Sequence, residues 1–430
     1  MTHASEVLDA HHGIVRGMLA VTAFALLGKV AGAVKEMAVA WRFGVGAPVD
    51  AYLLVQNLVN WPVAIWFSVL TVVLIPLANR VARETPDELP RFRRELLAAA
   101  LSAGVLLAIG GSLALPWLLA SSFMGLPGTT RDIALHMAPV LAWLALPGLL
   151  VGLYSTWLMA AGRHANTLFE GIPALVILGG VLLVEGAQVL AWATLAGAVL
   201  QFGALAAALH YRTRHGRPLF NFTSPSWGPF WRGFGIMALG QALMGVTVLV
   251  EQFFAARMGE GSISSVGYAN RVLALVLGVL ATAATRATLP VFARIRAAGN
   301  LDLRRFATGW AAWLGIAGVA ILVIGWLLAP LGIRLLFERG TFSRHDSEAV
   351  THLLQLGLLQ VPFYLASLVL VSLHSSEGRY RLLLLSGVLG LAVKVGVSYA
   401  LIPVLGIGAL VASSTAVYAA NVALLLTVRR

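Results

Sequence analysis

The sequence predicts an all-α polytopic membrane protein, with about twelve transmembrane helices in two six-helix lobes related by a pseudo-two-fold axis along the membrane normal. Three observations predict it. Of the 430 residues, 59% are hydrophobic and only 11% charged, with a mean hydropathy of +0.86, whereas a water-facing domain carries about 25% charge. The apolar stretches run for about 20 residues, without the alternation that a barrel strand shows over about ten. An ordered set of residues also recurs at an offset of half the chain.

Apolar stretches divided by loop punctuation place the spans at 17–40, 49–78, 95–119, 133–155, 165–185, 188–210, 232–256, 264–290, 307–329, 347–373, 382–402 and 408–427. A net charge of +12 would suggest nucleic acid as a partner in a soluble chain. Here the basic residues instead cluster in short gaps between spans, as at Arg80/Arg83/Arg91/Arg93/Arg94, Arg212/Arg214/Arg217 and Arg294/Arg296/Arg304/Arg305. With the N-terminus inside, most of them face the cytoplasm, so both termini are expected there. No nucleic-acid partner is expected. Cysteine is absent, which removes disulfides and thiolate metal sites. The histidines of the polar head, His3, His11 and His12, have no further ligand nearby, so neither a metal nor a cofactor is expected. No Gly-x-Ser-x-Gly, P-loop or HExxH arrangement points to hydrolysis, and no catalytic residue is assigned.

The repeat defines the lobes. Glu36, Arg42, Gly44, Gly46 and Pro76 with Arg80 and Arg83 are matched in order by Glu251, Arg257, Gly259, Gly261 and Pro290 with Arg294 and Arg296. Glu36 and Glu251 lie 215 residues apart, so the lobes are expected at 1–215 and 216–430. Six spans per copy keep both copies in one orientation, with a cavity between them.

Ionisable residues inside spans carry the functional signal, because each costs roughly 2.5–3.5 kcal/mol to insert and so faces protein or a watery cavity. Lys29, Lys35 and Glu36 fall in span 1, Glu251 in span 7, Arg271 in span 8 and Lys394 in span 11, while Asp50 sits at the outer mouth of span 2. Lys29, Lys35 and Arg271 outnumber Glu36, and a surplus of positive charge in a low-dielectric cavity suits a pyrophosphate or other anion. Glu251 and Lys394 have opposite charges at similar depth, which predicts a buried ion pair.

Several stretches resemble a known family. Gly28-Lys29-Val30-Ala31-Gly32-Ala33-Val34-Lys35-Glu36, with Phe43-Gly44-Val45-Gly46 and Asp50-Ala51-Tyr52, resembles the opening of the MurJ/MviN lipid II flippases. Gly261-Ser262-Ile263-Ser264-Ser265 with Tyr268-Ala269-Asn270-Arg271 is similar to the family's spans 7 and 8, and Leu336-Phe337-Glu338-Arg339-Gly340-Thr341-Phe342-Ser343 to its loop before span 10. The last reads physically as an outer turn at Gly340 followed by a helix capped by Ser343, with Asp346 in its first turn.

The resemblance implies alternating-access movement of an undecaprenyl-pyrophosphate-linked oligosaccharide, either lipid II or an exopolysaccharide precursor, from the inner to the outer leaflet. No bond is made or broken. It places the substrate-binding positions on Lys29, Lys35, Glu36, Asp50 and Arg271, implies membrane lipid as surroundings, and allows coupling to ions or to the membrane potential. It also associates a span 7 acid and polar residues of span 11 with sodium, where Lys394 puts a built-in ammonium beside Glu251. The rival reading, a MATE-like cation-coupled exporter of small amphiphiles, calls for an acidic cavity instead of this basic set.

Overall fold

The computed structural model describes residues 26–161, 169–210, 217–298, 303–377 and 379–427. Fourteen helices run through them: α1 (26–43), α2 (Ala47–Glu84), α3 (Glu88–Ala120), α4 (Gly128–Ala142), α5 (Ala145–Ala160), α6 (Ile172–Leu183), α7 (Val189–His210), α8 (Trp227–Ala256), α9 (Ser262–Ala298), α10 (Leu303–Phe337), α11 (Arg344–Leu358), α12 (Val361–Ser376), α13 (Tyr380–Leu405) and α14 (Gly408–Thr427). There is no strand among the described residues. Backbone polar groups satisfied within each helix are what a lipid environment demands.

Eight of these helices are individually long and apolar enough to cross a membrane, and two bent pairs, α4 with α5 and α11 with α12, bring the number to ten. The remaining two expected spans, 17–40 and 165–185, begin in residues outside those described; α1 and α6 are the described parts of them. The stretches 133–155 and 347–373, continuous spans by sequence, are each broken instead. The bends are 44° between α4 and α5 and 40° between α11 and α12. Proline explains both. A proline ring has no N–H and crowds the carbonyl four residues back, and Pro147 and Pro362 stand four residues after Trp143 and Leu358, at the two breaks. Short bonds of the i→i−3 kind carry the chain round each corner, from Leu144 N to Leu141 O at 2.9 Å and from Gln360 N to Gly357 O at 3.3 Å. The Gln360 side chain donates to the same Gly357 carbonyl at 2.8 Å.

The repeat is legible in the helix map. The starts of α2 and α9 are 215 residues apart, as are those of α3 and α10, and the two broken spans follow at 216. Packing repeats too: α3 on α5, α5 on α7 and α6 on α7 in one half, and α10 on α12, α12 on α14 and α13 on α14 in the other.

The described chain forms two compact units. Of the described residues, one unit takes those within 26–42, 55–121 and 131–242, and the other those within 43–54, 122–130 and 243–427. The division between them falls within α8, and the short segments 43–54 and 122–130 group with the second unit. In the first unit Leu74, Phe92, Leu96, Leu150, Leu153, Leu205 and Phe230 form a buried core. In the second, Ala307, Ala311, Val369, Leu370, Leu373 and Leu425 do so. Outward residues such as Trp117, Leu183, Trp313 and Val404 are left uncovered by protein, as expected where acyl chains take the place of water.

A buried carboxylate organises one end of the first unit. Glu95 of α3 is fully covered and accepts from Thr223 N at 3.2 Å, Ser224 N at 3.0 Å, Trp227 Nε1 at 2.7 Å and Arg91 Nε at 3.1 Å. Leu219 N bonds to Arg94 O at 3.1 Å, and Arg94 Nε to Arg217 O at 2.7 Å. The segment leading into α8 is thereby strapped along the first two turns of α3.

Candidate functional site

The sequence-predicted residues fall into three groups. In the first unit, Lys35 and Glu36 of α1 form an ion pair, both largely but not fully covered. Lys29, nearly two turns earlier, is exposed and acts electrostatically on Glu170. Arg42 donates to the carbonyl of Val181 in the last turn of α6, a cation placed at a helix C-terminus.

In the second unit, Asp50 is a helix cap. Both of its oxygens are used at the start of α9: Oδ2 accepts from Gly261 N and Oδ1 from Ser264 N, each at 2.6 Å. A carboxylate satisfies orphan amides there and meets the positive end of the helix dipole. Glu260 does the same for α2. Its Oε1 accepts from Ala47 N at 3.3 Å and its Oε2 from Thr129 Oγ1 at 2.7 Å. The close approach requires glycines: Gly261 has φ +84°, and at Gly44, φ +58°, a Cβ would lie 2.8 Å from the Thr341 carbonyl oxygen. Tyr268 Oη donates to Gly44 O at 3.1 Å, and the Arg271 guanidinium lies 5.7 Å from the centre of the Tyr268 ring. The turn at Gly340, φ +63°, leads into the expected cap of α11, where Ser343 and Asp346 exchange bonds in a capping box.

The third group is a buried ion pair. Lys394 of α13 is 3% exposed and Glu251 of α8 9%. The Lys394 ammonium donates to Glu251 Oε2 at 2.5 Å, to Leu410 O at 2.5 Å and to Ser414 Oγ at 2.9 Å. An ammonium has three protons, so three acceptors saturate it. The other glutamate oxygen, Oε1, accepts from Asn270 Nδ2 at 2.5 Å. Leu410 O also takes Ser413 Oγ at 2.8 Å, which in turn accepts from Ser398 Oγ at 3.0 Å. Four helices, α8, α9, α13 and α14, are thus tied through one cation surrounded by oxygen. Sequence reasoning misses Asn270, Leu410 and Ser414 as members of this group. The hydroxyl run Ser413-Ser414-Thr415 near the start of an otherwise apolar helix is the signal that points to them.

Among the described residues no group of three or more His, Cys, Asp or Glu is placed to hold a metal ion. The chemistry available is binding and charge movement: basic groups held in apolar helices, acids that pair with them, and caps that join helix ends.

Comparison with known proteins adds relatives to this geometry. The family model described as lipid II flippase MurJ matches residues 39–430. A probable lipid II flippase MurJ of Rhizobium meliloti (strain 1021) is 25% identical over 413 residues, covering 91% of this chain and 76% of its own. One from Helicobacter pylori (strain J99 / ATCC 700824) is 31% identical over 186 residues, covering 41% of this chain and 39% of its own. Among solved structures, a lipid II flippase MurJ in an inward closed conformation superimposes with a TM-score of 0.82 at 16% identity, over 95% of this chain and 87% of that one. An inward-facing multidrug resistance MATE family transporter does so at 0.76 and 18% identity, over 91% and 92%. At these identities the structural likeness speaks for the fold alone.

Proposed function

This chain belongs to the lipid II flippase MurJ family, and on that premise we propose that it moves lipid II, an undecaprenyl-pyrophosphate-linked oligosaccharide, across the bacterial cytoplasmic membrane for peptidoglycan synthesis. The family match over residues 39–430 carries the reading. It makes the protein a transporter and not an enzyme, with a lipid-linked substrate and membrane lipid as its partners. The basic residues within apolar helices support the sign of the cargo. Lys29, Lys35 and Arg271 suit a diphosphate, whereas the MATE reading, to which the fold alone lends itself, calls for acidic surplus.

In this reading the halves 1–215 and 216–430 are the moving bodies of an alternating-access cycle, and both termini face the cytoplasm, as the distribution of Lys and Arg favours. Lys29, Lys35 and Arg271 hold the pyrophosphate, and Glu36 tunes Lys35. Asp50 acts indirectly, by fixing the start of α9, the helix that carries Arg271 and the Tyr268 ring beside it.

Replacing Lys35 or Arg271 with alanine is expected to lower lipid II flipping in proteoliposomes by on the order of 10–100-fold, the worth of a hydrogen bond to a charged group, while the protein still reaches the membrane. Flipping by Arg271→Ala at the unmodified rate would reject the assignment. Depletion in cells is expected to accumulate lipid II on the inner leaflet; accumulation of an unrelated repeat unit would assign the protein to an exopolysaccharide instead.

The Glu251–Lys394 pair supports a second expectation. The oxygens around the Lys394 ammonium are a carboxylate, a backbone carbonyl and a hydroxyl, a set that suits a hard monovalent cation, and the ammonium already fills it. Flipping is therefore expected to run equally in sodium and in choline buffers at a fixed membrane potential. Stimulation by sodium would show that the tethered cation does not stand in for a free one.

A further inference from the structure

The last turns of α12 and α14 meet through one histidine. His374 of α12 is 1% exposed, and its Nε2 lies 3.0 Å from the carbonyl oxygen of Leu425 in α14. A carbonyl only accepts, so this nitrogen carries a proton. The other ring nitrogen, Nδ1, is buried without a hydrogen-bond partner and faces Oε2 of Glu377, the C-cap of α12, at 3.4 Å. In a neutral imidazole whose proton is on Nε2, Nδ1 presents a lone pair. Two acceptors would then confront one another in a nearly closed site, with no donor between them.

The neighbours show which of the two receives a proton. Arg379 Nε approaches the same Oε2 of Glu377 at 3.1 Å, an ion pair that leaves the ring as the receiver. Glu377 and Arg379 have side chains 27% and 25% exposed, so the site touches water at one edge and a proton has a way in. Around it, Arg304 of α10 donates to Leu426 O at 3.0 Å, while Arg305 of α10 and Arg381 of α13 are exposed. Arg294 and Arg296 near the end of α9, and Arg429 and Arg430 after α14, lie outside the side chains described. A charged ring would stand at the C-terminal ends of both α12 and α14, where the helix dipoles favour a cation.

We propose that His374 is a proton-binding site whose proton closes a clasp between α12 and α14. With it, Nδ1–H donates to Glu377 while Nε2–H donates to Leu425 O; without it, ring and carboxylate part and the last turn of α14 is released. The same helix supplies Leu410 O and Ser414 Oγ to the Lys394 ammonium, so the proton steadies the helix on which that buried pair is seated. Because the closed clasp binds the proton and the open one does not, linkage tightens it as pH falls and loosens it as pH rises.

The test uses the full chain in nanodiscs, with nitrogen-labelled histidine rings read by magnetic resonance and amide exchange read over residues 421–427. At about pH 6 both nitrogens of the His374 ring, identified by the signals that His374→Gln removes, are expected to carry protons. Protection of 421–427 is expected to fall on the order of tenfold from about pH 6 to about pH 8, the low end for a hydrogen bond to a charged group. In Glu377→Gln the side-chain amide donates to the neutral ring, so protection is expected to persist and its fall with pH to vanish, which a merely structural contact would not produce. His374→Gln is expected to be equally flat with pH, and His374→Asn takes its place should it fail to fold. A ring protonated on one nitrogen alone throughout that range, or a fall in protection that survives in Glu377→Gln, overturns the proposal.

Discussion

Replacing Lys394 alone with alanine is expected to lower the free energy of unfolding by about 3–5 kcal/mol, the range for breaking a buried ion pair from one side. Glu251 would keep its bond from Asn270 but would lose its countercharge in a nearly closed site, and Leu410 O and Ser414 Oγ would lose their donor. The double replacement Glu251→Leu with Lys394→Met removes both charges and is expected to cost much less, because apolar side chains of similar volume fill such sites at little loss. Chemical denaturation of the purified protein in detergent measures both. Equal losses in the single and double variants would mean that the pair contributes packing and not charge balance.

The second large effect is expected at Glu95. Its replacement by alanine leaves Thr223 N, Ser224 N and Trp227 Nε1 without their acceptor, and a buried donor left unpaired costs about 1–3 kcal/mol. With partial rescue by water the loss is expected at about 3 kcal/mol in total. It should be local before it is global: amide hydrogen exchange at Thr223 and Ser224 should rise by orders of magnitude while the middle of α3 stays protected. Unaltered exchange at those two amides would show that the strap is held by Arg94 and its contacts instead.

How much of this is legible in the sequence depends on how far each partner lies along the chain. Most of the spans, the repeat and the Ser343 cap follow from sequence spacing, and the described residues contain them. The contact between Glu251 and Lys394 is legible because opposite charges at one depth in a membrane have few other places to go. The two breaks escape a reading by apolar runs, although Pro147 and Pro362 signal them, because such a run reports its length and not its straightness. Asp50 as a helix cap lies 211 residues from Gly261, and Glu95 lies 132 residues from Trp227. No local pattern announces such pairs, since a single acid at the edge of a basic cluster looks like solvated surface until the tertiary fold supplies its donors.

The two bent spans bear on ancestry. Their breaks fall before prolines 215 residues apart, in helices that begin 216 residues apart. Duplication of a gene copies the corners of its product along with its lengths, so the simplest history has the bend already present in a six-helix forebear that worked as paired identical chains. Lys394 has no basic counterpart in α6, so the two halves differ at this point of the shared plan. The second half ties its glutamate to a lysine of its own fifth span, a difference between halves that two identical chains encoded by one gene have no means to reach.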